Sequence, residues 1–493
     1  MLDQFLYALV HVFALQNIIY IFVGVAVGIV IGALPGLSVT LGVALMLPFT
    51  FGISPIAGIL LLIGVYCAGT YGGSISAVLL KTPGTAASAA TVEDGFALAQ
   101  QGRANDALNI SLYASVAGGI ISGVALLFVA PQVAKFALKF GPPEFFALTL
   151  FGLTVIAGVS GKSMSKGMLM ATLGMLLATV GQDSVTGVQR FIFNNNYLLT
   201  GIGIIPALIG LFAISEVLNQ VEKRSKTIAV DTEVDTGKRF GWKNIIPFRR
   251  TIFRSSIIGI IIGAIPGTGG AISAFISYSE AKRKSKDPDS FGKGSMDGVA
   301  AAESGNNGTT GATLIPMLTL GIPGDVVTAV LLGALLVHGL SPGPQLFTNN
   351  GDIVYTVMIG FILVNIVMFF QAKLAIRWFR KVTLIPSSIL FPIVMIICLV
   401  GAFTDTFTLY SVVLALAFGV IGYFFSKFDY PLPPLLIGFI LGPIAETALR
   451  RSLILSDGSP AIFFGSPVAL IFIILALVAF LLPIVQKRFA RNQ

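Results

Sequence analysis

"GAIPGTGGA", residues 263–271, lies in the middle of an apolar stretch, Ser255–Ser279, that carries no charge from end to end. Proline and glycine are poor residues for a helix interior. The sequence therefore predicts a break at a depth where a freed backbone group has no water to bond. Both flanks are basic: Glu222–Arg254 holds nine Lys/Arg against four Asp/Glu, and "AKRKSKDPDSFGK" follows at 281–293. Basic segments favour the cytoplasmic side, so both ends of the stretch prefer one face of the membrane. A straight helix would strand one flank outside. A hairpin with its tip at Pro266–Gly267 keeps both inside, with arms of about 11 residues reaching ~16 Å into a ~30 Å core.

The rest of the chain sets the same context. Its 493 residues are 55% hydrophobic and 11% charged, with a mean hydropathy of +0.91; a soluble domain carries about a quarter charged residues. Uncharged runs long enough to cross a bilayer recur, among them Ile353–Gln371, Ile385–Ala402, Leu409–Phe425 and Pro467–Gln486. The expected fold is an all-α polytopic membrane protein with about ten to twelve transmembrane segments, some broken. The net charge of +9 comes from basic residues clustered between apolar runs, so it reads as a topology signal and excludes nucleic acid as a partner. The N-terminal "MLDQFLYALVHVFALQNIIYIFVG" lacks a basic leader and a small-residue cleavage site and is expected to be retained. Cys67 and Cys398 lie in apolar surroundings without metal-type spacing.

The 263–271 stretch has an echo. "GALPGLSVT" at 32–40 sits centrally in the run Ile18–Phe51, which is too long to cross once without breaking or tilting. A second pair is "LLKTPGTAAS" at 79–88 and "LTLGIPGDVVT" at 318–328. Each half thus carries two Pro-Gly breaks in the same order, which reads as an internal duplication. The expected organisation is an N-terminal membrane repeat over 1–221, a cytoplasmic basic linker over 222–254, and a C-terminal repeat with terminal helices over 255–493. About five crossings between 52 and 222 would make the repeats inverted.

Paired, Gly/Pro-interrupted segments at corresponding positions of two halves point to the central site of a secondary transporter. Half-helix N-termini present unpaired N–H groups and partial positive charge, suited to a carboxylate, while freed carbonyls suit a cation. Small polar side chains stand beside every break: Ser38 and Thr40; Thr82, Thr85 and Ser88; Thr268 and Ser273; Asn306, Asn307, Thr309 and Thr310. The expected substrate contacts are Gly36, Ser38, Thr82, Pro83, Gly84, Thr85, Gly267, Thr268, Asn306, Asn307, Pro323 and Gly324. Thr40, Thr309, Thr310 and Asp325 supply hard oxygen atoms for a coupling Na⁺. Lys81 and Asp325 flank the second break of each half, and intramembrane charge is a functional signal. Glu446 stands four residues before Arg450, a helical ion-pair spacing, and the lone His338 reads as a packing residue. "GVSGKS" at 158–163 fails the phosphate-loop pattern because Ile156 stands where a glycine is needed. No H-E-x-x-H or G-x-S-x-G is present, so no enzyme chemistry and no cofactor beyond a coupling ion is expected.

Several long blocks resemble the large membrane subunit of the tripartite tricarboxylate transporters, the TctA family: "GALPGLSVTLGVALMLPFTF" (32–51), "GTYGGSISAVLLKTPGTAASAATVEDGFALAQQGRA" (69–104), "GAIPGTGGAISAF" (263–275), "GVAAAESGNNGTTGATLIPMLTLGIPGDVVTAVLLGALLVHGLSPGPQLF" (298–347) and "YPLPPLLIGFILGPIAETALRRSLILSDGS" (430–459). The resemblance implies a multi-pass protein of the bacterial inner membrane that imports citrate-like di- and tricarboxylates on a Na⁺ or H⁺ gradient. It implies two partners, a periplasmic solute-binding protein and a small membrane subunit of about four helices, and an elevator-type fold with re-entrant hairpins. Its glycine-proline motifs fall on Pro35, Gly36, Pro83, Gly84, Pro266, Gly267, Pro323 and Gly324, and its paired asparagines on Asn306 and Asn307. Lys81 stands where the family commonly has an asparagine.

Overall fold

The computed structural model describes residues 2–159, 163–183, 186–223, 240–376 and 386–491. Residues 224–239 of the basic linker, and 160–162 of the glycine-lysine-serine stretch, lie outside the described residues. Among the described residues the fold is helical apart from one two-stranded antiparallel ribbon, β1 (Gly181–Gln182) with β2 (Gln189–Arg190).

The first helices are α1 (Leu2–His11), α2 (Leu15–Ala33), α3 (Val39–Met46), α4 (Pro55–Leu80), α5 (Ala89–Gln100) and α6 (Ala104–Ala137). They are followed by α7 (Pro142–Val159), α8 (Met164–Ala178), α9 (Ile204–Leu208) and α10 (Ser215–Lys223). Past the linker come α11 (Arg249–Gly263), α12 (Gly269–Lys284), α13 (Met296–Ala312), α14 (Leu314–Leu320), α15 (Val326–Val337), α16 (Pro344–Asn349) and α17 (Gly351–Ala375). The C-terminal part holds further helices, among them Leu409–Lys427, Leu432–Leu455 and Pro467–Arg491.

Eight of the described helices are long and apolar enough to cross a membrane, and five shorter apolar ones accompany them. The chain is an all-α polytopic membrane protein. Of the shorter ones, Val39–Thr50 and Val326–Val337 follow Pro-Gly breaks that cut long apolar runs into pieces too short to cross alone.

Two compact units emerge, each drawing on both sides of the linker: Met1–Ala134 with Gln220–Ile397, and Lys135–Asn219 with Cys398–Gln493. In the first unit, α2 runs parallel to α4 along a face of glycines spaced by four. A Cβ on Gly28 would stand 2.8 Å from the Val65 carbonyl oxygen, closer than real Cβ atoms come. Only hydrogen at that position lets the two backbones meet, and such close approach is how helices associate where apolar burial offers no drive. The arrangement recurs between α11 and α13. Gly28 rests on Val65 and Ala68, and Gly32 on Gly69 and Gly72; Gly259 rests on Gly305 and Gly308, and Gly263 on Thr309 and Ala312.

The 263–271 stretch is a hairpin tip. The Ser277 hydroxyl on α12 donates to the Ser255 carbonyl on α11 at 3.5 Å, so the two arms are antiparallel and turn near Pro266. The arms are longer than the sequence predicts, 15 and 16 residues, or roughly 22–24 Å. Arg249, Arg250 and Lys282–Lys284 are good helix formers that continue the arms beyond the apolar stretch. The three basic residues also suit the negative end of the α12 dipole.

The second unit is held by glycine contacts of the same kind and by a charge network. Gly174 of α8 packs on the Leu435 carbonyl, and Gly438 on that of Ala171. Glu446 pairs with Arg450 one turn on, at 2.8 Å. Arg190 from β2 grips the same carboxylate at 2.8 Å, and Asp183 bonds Arg450 at 2.8 Å and Arg190 at 3.4 Å. The Glu446 bond also raises the Arg190 guanidinium above its ordinary pKa. Two arginines and two carboxylates thereby fasten the ribbon to helix Leu432–Leu455.

Candidate functional site

All four breaks lie in the first unit. At the first, α2 stops at Ala33, Gly36 takes a φ of +89°, and the Ser38 hydroxyl caps α3 by accepting the Leu41 N–H at 3.1 Å. Thr40 is buried in the first turn of α3. At the second, α4 ends on Lys81, itself left-handed with a φ of +56°. Thr85 and Ser88 then form a reciprocal cap on a 3-10 turn over Ala86–Ser88 that leads into α5. Thr82 is exposed, and its hydroxyl turns back to the Leu80 carbonyl at 3.3 Å.

At the third break, the Thr268 hydroxyl donates to the Ile262 carbonyl at 2.6 Å and closes the end of α11. At the fourth, α14 ends on left-handed Gly321, and Pro323 and Gly324 are buried. Asp325 caps α15, its Oδ1 accepting the Thr328 N–H at 2.7 Å.

The breaks meet one another. The Gly267 N–H donates to the Gly324 carbonyl at 2.7 Å, stitching the hairpin tip to the fourth break. Gly84 lies against the Gly32 carbonyl, which joins the second break to the first. Around Gly267–Gly270 the side chains of three other segments converge. A Cβ on Gly269 would meet the Asp325 side chain at 3.9 Å; on Gly270 it would stand 2.5 Å from the Asn306 Oδ1 and 3.3 Å from the Ala87 Cβ.

Asn306 is the unusual member. It is 1% exposed, yet neither its amide nitrogen nor its oxygen has a hydrogen-bond partner. A buried polar atom without a partner costs about 1–3 kcal/mol. Asn306 faces the first turn of α12, whose leading N–H groups have no intrahelical acceptor and carry the positive end of the dipole. Together these groups can receive an anion through neutral donors.

The corresponding place in α4 is filled differently. Along the correspondence that relates Gly28 on Val65 to Gly259 on Gly305, Asn306 matches Tyr66. The Tyr66 hydroxyl donates to Asp325 Oδ2 at 2.6 Å and lies 3.1 Å from the Thr313 hydroxyl, so this position is satisfied from within the protein.

Other predicted residues have structural partners. Asn307, adjacent to Asn306, sends its Nδ2 to the Glu303 carbonyl at 3.2 Å, and only its Oδ1 is left without a partner. Thr309 donates to the Gly305 carbonyl at 3.0 Å and Thr310 to that of Asn307 at 2.7 Å, each within α13. Neighbouring helix positions point about 100° apart, so these two hydroxyls do not share one direction. Lys81 is exposed, with its ammonium 5.6 Å from the Phe96 ring centre. His338 is a packing residue bonded to the Thr50 hydroxyl at 2.9 Å. Cys67 and Cys398 are buried free thiols.

One residue has no counterpart in the sequence reading. Glu303 is wholly buried, and its carboxyl is held by Ser74 at 2.5 Å, by Thr91, and by Ser115 at 2.9 Å. Its signal was weak because it stands in an Ala/Ser/Gly run with no charged neighbour in sequence.

The profile of the tripartite tricarboxylate transporter TctA family matches residues 18–437. An uncharacterized 52.8 kDa protein in the TAR-I ttuC' 3' region of Agrobacterium vitis is 36% identical over 460 residues, covering 92% of this chain and 90% of its own length. A second Agrobacterium vitis protein, uncharacterized and in the TAR-II ttuC' 3' region, is 34% identical over 239 residues, covering 48% of this chain and 98% of its own. No solved structure matches. A profile that runs through all four breaks, with a relative matched along nearly its full length, decides the matter: the chain belongs to the TctA family of tripartite tricarboxylate transporters, whose members work with further subunits.

Proposed function

We propose that this chain is the translocating subunit of a secondary transporter that imports di- and tricarboxylates, and that one carboxylate of the solute binds between the hairpin tip and Asn306. The observation that carries this reading is the buried Asn306 amide with both polar atoms unpartnered beside the α12 N-terminus. A carboxylate there would accept from the amide and from the first-turn N–H groups, and bury no fixed positive charge in the empty state. Gly267 and Gly324 hold the tips together, while Pro323, Pro83, Gly84 and Thr85 fix the turns around them. Gly36 and Ser38 shape the first break, and Thr268 and Thr82 close helix ends beside the site.

Uptake is driven by a Na⁺ or H⁺ gradient, without a resident cofactor. If the ion is Na⁺, Asp325, beside the hairpin tip, is its carboxylate ligand, with Thr40, Thr309 and Thr310 as the hydroxyl candidates. The partners are a periplasmic solute-binding protein and a small membrane subunit of about four helices, in the bacterial inner membrane. The recurrence of the glycine contacts in both halves supports two repeats, 1–221 and 255–493, joined by the basic linker 222–254. Between Pro55 and Glu222 lie three described helices long enough to cross and two shorter apolar ones; the count is odd with or without the shorter pair, which favours inverted repeats. An elevator-like movement of the block holding the tips would carry the solute across.

The test is uptake of radiolabelled carboxylates into proteoliposomes holding this chain and its partners, under imposed Na⁺ and proton gradients in turn. Saturable uptake of one acid on one gradient is the expected result. No gradient-dependent uptake by an assembled complex refutes the reading.

A further inference from the structure

Glu303 is an acid enclosed by helices from both halves. Its Oε1 accepts from Ser74 on α4 and Thr91 on α5, and its Oε2 from Ser115 on α6. Every partner is a neutral hydroxyl, and among the described residues no Lys, Arg or His pairs with the carboxyl. The titratable groups on the surrounding helices do not neutralise it. Tyr71 on α4 is close enough to feel its charge. Asp94 on α5 is turned to the Gly292, Gly294 and Ser295 N–H groups and the Tyr278 hydroxyl. Asp297 on α13 bonds Thr251.

Burying an ionised carboxylate without a counter-charge is among the costliest events in a protein interior. Either a cation enters or a proton is carried. The spacings favour the proton: the carboxyl oxygens stand at hydrogen-bond distance from their hydroxyls, closer than oxygen atoms that share a metal ion with ligands at 2.3 Å or more. The position also links the acid to the solute site. Glu303 lies one turn before Asn306 on α13, and Thr91 lies on α5, just beyond the 3-10 turn whose Ala87 touches the hairpin tip.

We propose that Glu303 is the proton-binding carboxyl of the transport cycle, loading and releasing H⁺ in step with the solute at Asn306. This rests on the transport reading above and deepens it by naming the coupling ion as H⁺. When the proton leaves, the ionised carboxylate draws its three hydroxyls harder or must meet water. Either change alters how α4, α5 and α6 pack on α13, and so the setting of the tip.

The experiment uses the whole transporter in proteoliposomes with the membrane potential clamped at zero. A pH gradient of one unit supports at most about tenfold accumulation per coupled proton. The wild type is expected to approach that limit and to exchange internal for external carboxylate without any gradient. Glu303→Gln, a permanently neutral copy of the protonated acid, is expected to keep a measurable exchange rate while gradient-driven accumulation falls to unity. The proposal is overturned if Glu303→Gln still accumulates solute on the pH gradient, or if the wild type accumulates on Na⁺ alone. Absence of exchange in the wild type would instead sink the transport reading itself. Should Glu303→Gln not assemble, Ser115→Ala decides: loss of one hydroxyl is expected to move the pH midpoint of uptake, and an unmoved midpoint overturns the proposal.

Discussion

Asn306→Leu separates the cost of the orphaned amide from its use. Leucine keeps asparagine's γ-branched outline but has bulkier methyl groups in place of the polar atoms, so the substitution removes two unpartnered buried groups and overfills their space. Each such group costs about 1–3 kcal/mol, so the pair costs about 2–6 kcal/mol, and overpacking by the larger side chain against Gly270 takes back about 1–3 kcal/mol of that. The ligand-free variant is therefore expected to be more stable by about 1–3 kcal/mol, a rise in melting temperature of roughly 1–3 °C for a chain of this length. The same change should abolish solute binding. The wild type gains about 2.7 kcal/mol of protection from a carboxylate at a hundred times its Kd; the variant should gain none. The assay is thermal unfolding of the purified complex with and without a panel of carboxylates, alongside uptake. A variant that is less stable than wild type without ligand, yet still protected by the same acid, would refute the argument, because Asn306 would then be a satisfied packing residue.

Gly267→Val should abolish uptake while the complex still assembles: a β-branched residue at a φ of +84° is strained by roughly 1–3 kcal/mol, read out by size-exclusion profile and transport rate. Asp325→Asn keeps a good helix cap, so its stability should stay within about 1 kcal/mol of wild type; survival of any Na⁺ dependence in it would remove Asp325 as a cation ligand. Gly32→Val places side-chain atoms on the Gly69 carbonyl backbone and should prevent folding, visible as loss of monodisperse protein. Asp183→Asn leaves Arg450 and Arg190 sharing one carboxylate in a partly exposed network and should cost about 1–2 kcal/mol, measured as a fall in melting temperature.

Much of the architecture is written in local residue types. Proline with glycine marks every break because those residues act on their own backbone, and the positions 35–36, 83–84, 266–267 and 323–324 all fall between helices as expected. Helix length was less legible. Arginine and lysine end an apolar window without ending a helix, so α11 and α12 outrun the stretch that hydropathy delimits. Long-range polar chemistry was least legible. Arg190 and Glu446 are 256 residues apart, and Glu303 is 229 from Ser74, so nothing local announces either pairing. At the site, residue type singled out Asn306 and Asn307 alike. Only the turn of α13 distinguishes the amide that faces the tip from the one that bonds its own helix.

The pairing of Tyr66 with Asn306 along the two halves bears on how many solutes a chain can hold. A duplicated scaffold begins with two equivalent cradles, and identical cradles would compete for each solute and load independently. Here a phenol fills one by bonding Asp325 and Thr313, while in the other a short amide keeps both its polar atoms unpartnered. On the carboxylate-binding reading proposed above, that asymmetry would give each chain a single solute cradle, with the phenol-filled twin as its buttress.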